Sequence, residues 1–139
     1  MICFSMQSNL FNKSFTVYFA DTDAAQVVHH SRYIIWLEAA RIDYLDHIGC
    51  SYVSLQEKQI GLMPVSININ YHKPLLFGDR FVIQISVASL KHTQVAIKGD
   101  VIRGNDLCCT SLVNLACVDE STWKPIKIPS YLKESFFNT

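Results

Sequence analysis

Between the apolar-aromatic run "SFTVYF" and the apolar run "IIWLEAARIDYL", the segment "ADTDAAQVVHHSRY" (Ala20 to Tyr33) gathers two aspartates, two histidines, a serine and an arginine. Three chemistries suit these residue types at this spacing. A carboxylate can activate water or attack a carbonyl carbon itself. A D-x-D pair can hold a divalent cation. A helix start offers unpaired N–H groups and the positive end of a dipole, which suits a developing oxyanion. The cation reading is the weakest. Asp21 and Asp23 have no acidic cluster around them, and the adjacent His29 and His30 lack a third zinc ligand, so no metal is expected. On residue type alone Asp23 is a turn or capping residue, and Asp21 orders its loop by accepting backbone hydrogen bonds.

The elements around this junction give it a setting. Phe15 to Phe19 reads as a first strand and Ser31 to Ile48 as a long helix, started by His30 or Ser31 and ended by Gly49. At 100° per residue, Ile34, Ile35, Leu37, Ile42, Tyr44, Leu45 and Ile48 fall on one broad arc, too wide for a helix lying on a surface. Glu38 falls inside that arc with Arg41 three residues on, which predicts a buried ion pair. Ser51 to Gly61 holds a short helix or loop. Strand patterns then follow at Val65 to His72, Arg80 to Leu90, Thr93 to Arg103 and Leu107 to Val118. "KPLLFGD" breaks the first two apart and "RGNDL" marks a hairpin, its Gly104, Asn105 and Asp106 tolerating positive φ. Short turns predict an antiparallel meander, hence an α+β domain in which a five-stranded sheet wraps one helix. The sheet's outer face then needs a cover, and self-association is the economical one.

Composition narrows the class. The chain has 139 residues, half of them apolar, and zero formal net charge. Residues 13–139 read as a single domain, behind an arm at 1–12 that is either poorly ordered or an alternative start region. Balanced charge and the lack of a basic stripe argue against a nucleic-acid partner. No run approaches the about 18 apolar residues of a membrane helix. The five cysteines, odd in number and without a C-x-x-C, point to a reduced, cytoplasmic compartment and to ordinary apolar roles.

The order of elements, together with "YFADTDAAQVVHHSRYIIWLEAAR" (Tyr18 to Arg41), resembles the hotdog-fold acyl-CoA thioesterases, in particular the 4-hydroxybenzoyl-CoA thioesterase family and its Tol-Pal-associated branch. The matching positions are Asp21, Asp23, Val28, His30, Tyr33, Glu38 and Arg41, supported by "MPV" from Met63 and by "YHKPLLFGD" from Tyr71. One position departs: Gln26 stands where the family carries a glycine, and a glycine there signals a tight or left-handed backbone.

The resemblance implies hydrolysis of an acyl-CoA thioester to free acid and CoA, with no cofactor. It implies Asp23 as nucleophile or general base and the His30 backbone N–H as oxyanion donor. Asp21, Gln26, Tyr33, Glu38 and Arg41 support them. On a related hotdog branch a helix-borne carboxylate does the chemistry, which gives Glu38 a second reading. Lys91, His92 and Thr93 fall where relatives touch the nucleotide, with Lys73, Lys98 and Arg103 as further cations. Met63, Asn68 and Tyr33 line the acyl pocket. The family site forms between subunits, so a homo-oligomer is implied, a dimer of hotdogs assembling to a tetramer. The rival is a hotdog-fold acyl-CoA-binding or structural module that has lost turnover through Gln26. A hydratase on this fold relies on a different helix-borne Asp/His arrangement, absent from the chain.

Overall fold

The computed structural model describes residues 10–137. Strand β1 is Phe11–Thr16, followed by helix α1, His30–His47, and the short helix α2, Tyr52–Glu57. Four long strands come next: β2 (Ile60–Tyr71), β3 (Arg80–Leu90), β4 (Gln94–Arg103) and β5 (Asp106–Asp119). A two-residue strand, β6 (Lys124–Pro125), and helix α3 (Ser130–Phe137) close the chain. The sheet is antiparallel with spatial order β1-β3-β4-β5-β2, and β6 pairs with β5. It is the helix-wrapping α+β sheet that the resemblance implies.

Three expectations are corrected. The first strand lies earlier than Phe15 to Phe19. Phe11, Lys13 and Phe15 alternate toward α1, and the strand pairs with β3 from Phe11↔Ile85 to Thr16↔Arg80. Phe11 reaches the Tyr44 ring, Phe15 stacks on Phe81 at 5.5 Å, and the Lys13 ammonium meets Asp43 at 2.8 Å. The expected arm at 1–12 therefore overlaps a strand at its end, and its first nine residues lie outside the described residues.

The meander covers only β3, β4 and β5. β2 pairs with β5 rather than β3, because the connection from residue 72 to 79 is no tight turn. It crosses the mouth of the sheet and buries Leu75 completely.

The buried face of α1 is Tyr33, Trp36, Leu37, Ala40, Tyr44 and Leu45, a regular 3.6-residue stripe. Ile34 and Ile35 fall beside it and stay about half exposed. The buried stripe is rotated from the expected arc: Tyr33, Trp36 and Ala40 lie outside that arc and are buried, while Ile34 and Ile35 lie inside it and stay open.

The helix lies close to the sheet at Gly99 on β4. A Cβ there would stand 2.8 Å from Leu37 Cδ2 and 3.0 Å from Ser111 Oγ. The Ser111 hydroxyl donates to the Gly99 carbonyl at 2.8 Å. The β4–β5 hairpin closes at Gly104, whose φ is +60°. Only the first loop residue takes positive φ, so the expected "RGNDL" turn has the type II′ pattern. Cys50, Cys108, Cys109 and Cys117 are buried free thiols, and burial pushes Cys109 up to about 12. Helix α3 buries Leu132 and Phe136, with the Phe136 ring stacked near Tyr44.

Candidate active site

The chain leaves β1 through a single 3-10 turn, Phe19–Asp21, and then folds back on itself. Asp23 N donates to Val27 O at 3.0 Å, Gln26 N donates to Asp23 O at 2.9 Å, and Thr22 bridges Val28. Residues 23 to 26 thus form a tight turn, and Gln26 sits at φ +68°. The left-handed backbone that a glycine would favour is present, taken by a glutamine at about 1–2 kcal/mol. The turn closes with the glutamine in that conformation. The Gln26 side chain stays exposed.

Asp21 and Asp23 separate cleanly. Asp21 is 3% exposed and fully engaged. Its Oδ2 accepts from Tyr18 N at 2.8 Å, its Oδ1 pairs with Arg32 Nη2 at 2.8 Å, and its carbonyl accepts from His29 N. These contacts tie Tyr18, Arg32 and His29 to Asp21. Arg32 was missed by sequence reasoning, although a buried carboxylate requires a cation or donors nearby. Asp23 is exposed, and its Oδ1 accepts from Ala25 N at 2.8 Å. Its other carboxylate oxygen has no hydrogen-bond partner among the described residues.

His29 is the N-cap of α1. Its Nδ1 accepts from Ser31 N at 3.2 Å and lies 2.7 Å from Ser31 Oγ. His30 is the first residue of the helix proper, so its N–H belongs to the turn that a helix cannot satisfy internally. The His30 ring stacks on His29 at 4.2 Å.

Asp23, His30 and Tyr33 line one cleft of about 410 Å³ with Tyr71, His72 and Lys73. Tyr33 is buried, and its hydroxyl oxygen accepts from Leu75 N at 3.3 Å. Burial pushes the Tyr33 phenol above its ordinary range. Tyr71 packs edge-on to Tyr33 at 5.1 Å and donates its hydroxyl to the His30 carbonyl at 3.3 Å. Tyr71 and His72 were read as strand residues and as part of the family pattern, not as site residues. The signal was available: an aromatic and two basic residues, "YHK", run directly into Pro74.

Other candidates do not gather there. β3 has 11 residues and spans about 33 Å, and Lys91, His92 and Thr93 lie at the end away from Asp23. Met63 lies near the start of β2, eight residues before Tyr71 and about 26 Å away along the strand. Asn68 lies on β2 and accepts from Asn70 Nδ2. Glu38 is a correction: its side chain is 61% exposed while Arg41 is only 11% exposed, and they stand 3.9 Å apart. Glu38 follows Ile34 on the helix face that one chain leaves open. Burial lowers the Arg41 pKa, with Glu38 partly offsetting it. Of the further cations, Arg103 is tied to Asp79 and Asp106, and Lys98 to Asp100 at 3.5 Å; Lys73 does line the cleft, its ammonium held by Asp106 at 2.8 Å. Among the described residues no group of three His, Cys, Asp or Glu side chains is placed to hold a metal ion.

The arrangement offers a carboxylate oxygen and a helix-first N–H beside one open cleft, with a cation at its rim. Residues 17–136 match the family model described as "Thioesterase-like superfamily". The chain is 29% identical over 132 residues to the acyl-CoA thioesterase YbgC of Haemophilus influenzae, covering 94% of this chain and 97% of that protein. A solved gentisyl-coenzyme A thioesterase superposes with TM-score 0.83 at 26% identity, over 91% of this chain and 99% of the other. The DHNA-CoA thioesterase of Staphylococcus aureus superposes with TM-score 0.83 at 25% identity, over 90% of this chain and 85% of the other.

Proposed function

Because the chain belongs to the thioesterase-like superfamily and is a thioester hydrolase of the hotdog fold, we propose that it cleaves acyl-CoA thioesters to a free carboxylic acid and CoA through Asp23. The observation that carries this reading is the Asp23 carboxylate. One oxygen is fixed by Ala25 N and the other has no hydrogen-bond partner among the described residues, in the same cleft as the start of α1. As general base, Asp23 takes a proton from the water that adds to the carbonyl carbon; as nucleophile, it attacks that carbon itself, and water later hydrolyses the resulting mixed anhydride to the free acid. The carbonyl oxygen gains charge, which the His30 N–H and the helix dipole stabilise. The C–S bond then breaks, and the CoA thiolate takes a proton to leave as the thiol.

A panel of acyl-CoAs, followed by loss of thioester absorbance, tests the activity. Asp23→Asn is expected to lower kcat by roughly 10²–10⁴-fold, with Glu38→Gln near wild type. The reverse pattern moves the chemistry to Glu38. Single turnover in ¹⁸O-water separates the two roles of Asp23: an attacking carboxylate hands its own oxygen to the first product, whereas a general base delivers solvent oxygen.

The working unit is a homo-oligomer paired through β2. β2 is an edge strand, and Met63, Val65 and Ile67 stand exposed on it. Antiparallel pairing of two β2 edges about a twofold axis sets the Met63 end of one copy beside the Tyr71 end of the other. That supports substrate contacts from Met63 and Asn68 across the pair, with Lys91, His92 and Thr93 toward the nucleotide. Two such dimers make the tetramer. Light scattering reads the mass, and a monomer with full activity overturns the shared site.

A further inference from the structure

Two clefts meet at Asp23 and Val27, the residues that close the turn. On one side lies the cleft with His30, Tyr71 and Lys73. On the other is a second cleft of about 710 Å³, lined by Phe19, Ala24, Ala25, Gln26, Leu76 and Phe77. Asp23 and Val27 line both.

The two sides differ in chemistry. The first carries an ammonium, two imidazoles and two phenols. Among the described residues the second carries no cation. Besides Asp23, its polar side chains are Thr22 and Gln26, and the Thr22 hydroxyl already donates to Phe19 O at 2.7 Å. Phe19 and Phe77 meet edge to face at 5.9 Å, yet they are 77% and 62% exposed. With Leu76 beside them, they make a contiguous apolar wall left to solvent, the kind of surface that marks a binding site. Ala24 and Ala25 are too small to fill the space in front of it.

A thioester has a polar, anionic arm and an apolar acyl group joined at one carbonyl carbon. A carboxylate that acts on that carbon belongs at the junction of a polar cleft and an apolar one, and Asp23 is there. We propose that the second cleft receives the apolar part of the acyl group, with Phe19, Leu76 and Phe77 as specificity-determining residues, while the cleft bearing Lys73 takes the CoA arm. This assignment rests on the thioester-hydrolase reading above and adds to it which side of Asp23 holds which half of the substrate.

The test is steady-state kinetics of the full chain on acetyl-CoA, hexanoyl-CoA and benzoyl-CoA, with CoA as product inhibitor. In Phe77→Ala the kcat/KM ratios of hexanoyl and benzoyl over acetyl fall by about tenfold or more. Phe77→Leu returns part of the loss, and CoA inhibition stays within about twofold of wild type. Lys73→Ala does the converse, weakening CoA inhibition and all three substrates alike. Phe77 is mostly exposed, so a melting curve near wild type is expected for both Phe77 variants. Ratios unchanged in Phe77→Ala overturn the assignment. So does a matching loss of CoA inhibition in Phe77→Ala, which would put the nucleotide in this cleft. A wild-type chain that cleaves none of the three overturns the hydrolase reading instead. Calorimetry then decides the cleft: Phe77→Ala must weaken hexanoyl-CoA more than CoA, and equal weakening sinks it.

Discussion

At the residue scale the site depends on two aspartates doing unlike work. Asp21 is buried against Arg32 and the Tyr18 N–H, so its removal strands a cation and a donor. Asp21→Ala is expected to cost about 1–3 kcal/mol, read as a shift in the denaturant midpoint, and to lower kcat by loosening the Asp23 turn. Gln26 makes the opposite prediction. At φ +68° it holds a conformation that glycine takes without penalty. Gln26→Gly should gain up to about 1 kcal/mol by thermal unfolding, the gain offset in part by the freer unfolded chain. A marked rise in turnover in that variant would show that the glutamine side chain also restrains the enzyme. The departure at Gln26 was legible in the sequence as a break in the family pattern. Its consequence was not, because residue type does not say whether the backbone or the pattern gives way.

At the element scale, the connection from residue 72 to 79 builds a wall of both clefts, and Arg103 at the end of β4 holds it. The Arg103 guanidinium donates to Pro74 O at 2.8 Å and to Asp79 Oδ2 at 3.0 Å, and Asp79 Oδ2 also accepts from Leu76 N. Asp106 completes the cluster, accepting from Lys73 at 2.8 Å and Arg103 at 3.3 Å. The Lys73 hydrogen bond, then Arg103, holds the Asp106 carboxyl below its ordinary value. A lowered folded-state pKa means that the unfolded chain takes up the proton first as pH falls. This contribution is present above the unfolded carboxylate value and is lost as pH drops through the folded one. In Asp106→Asn, melting temperature should therefore fall less steeply between neutral pH and the acid limb than in wild type. Arg103→Met should raise KM for all acyl-CoAs together by loosening the wall. Arg103 was read from sequence as a cation for phosphates. Only the return of the β4–β5 hairpin beside residues 74 to 79 shows that its donors are already used.

At the scale of the whole molecule, one copy of the chain leaves a consistent set of surfaces open. The edge of β2 is exposed, as are Ile34, Ile35 and Glu38 on α1. Val65→Asp, placed on that edge, is expected to shift the assembly toward monomer in light scattering and to lower kcat/KM by at least about tenfold, provided the melting curve keeps its cooperativity. An assembly unchanged by Val65→Asp would move the interface elsewhere. The sequence by itself determined the long helix, strands β3 to β5 within a residue at each end but β2 only at its far end, since it starts at Ile60 rather than Val65, the polar junction, and the family. Those are carried by local periodicity and by a short contiguous motif, which need no knowledge of distant contacts. Tertiary structure decided the rest. It placed β2 beside β5, moved the first strand to Phe11–Thr16, and chose which helix stripe is buried. It also separated Lys91 to Thr93 from Asp23 by the length of a strand, and placed Asp23 where two clefts meet. The physical reason is the same in each case. Pairing partners, burial and the two faces of a turn are set by residues far apart in the chain, and a periodic pattern says that a face is apolar without saying what covers it.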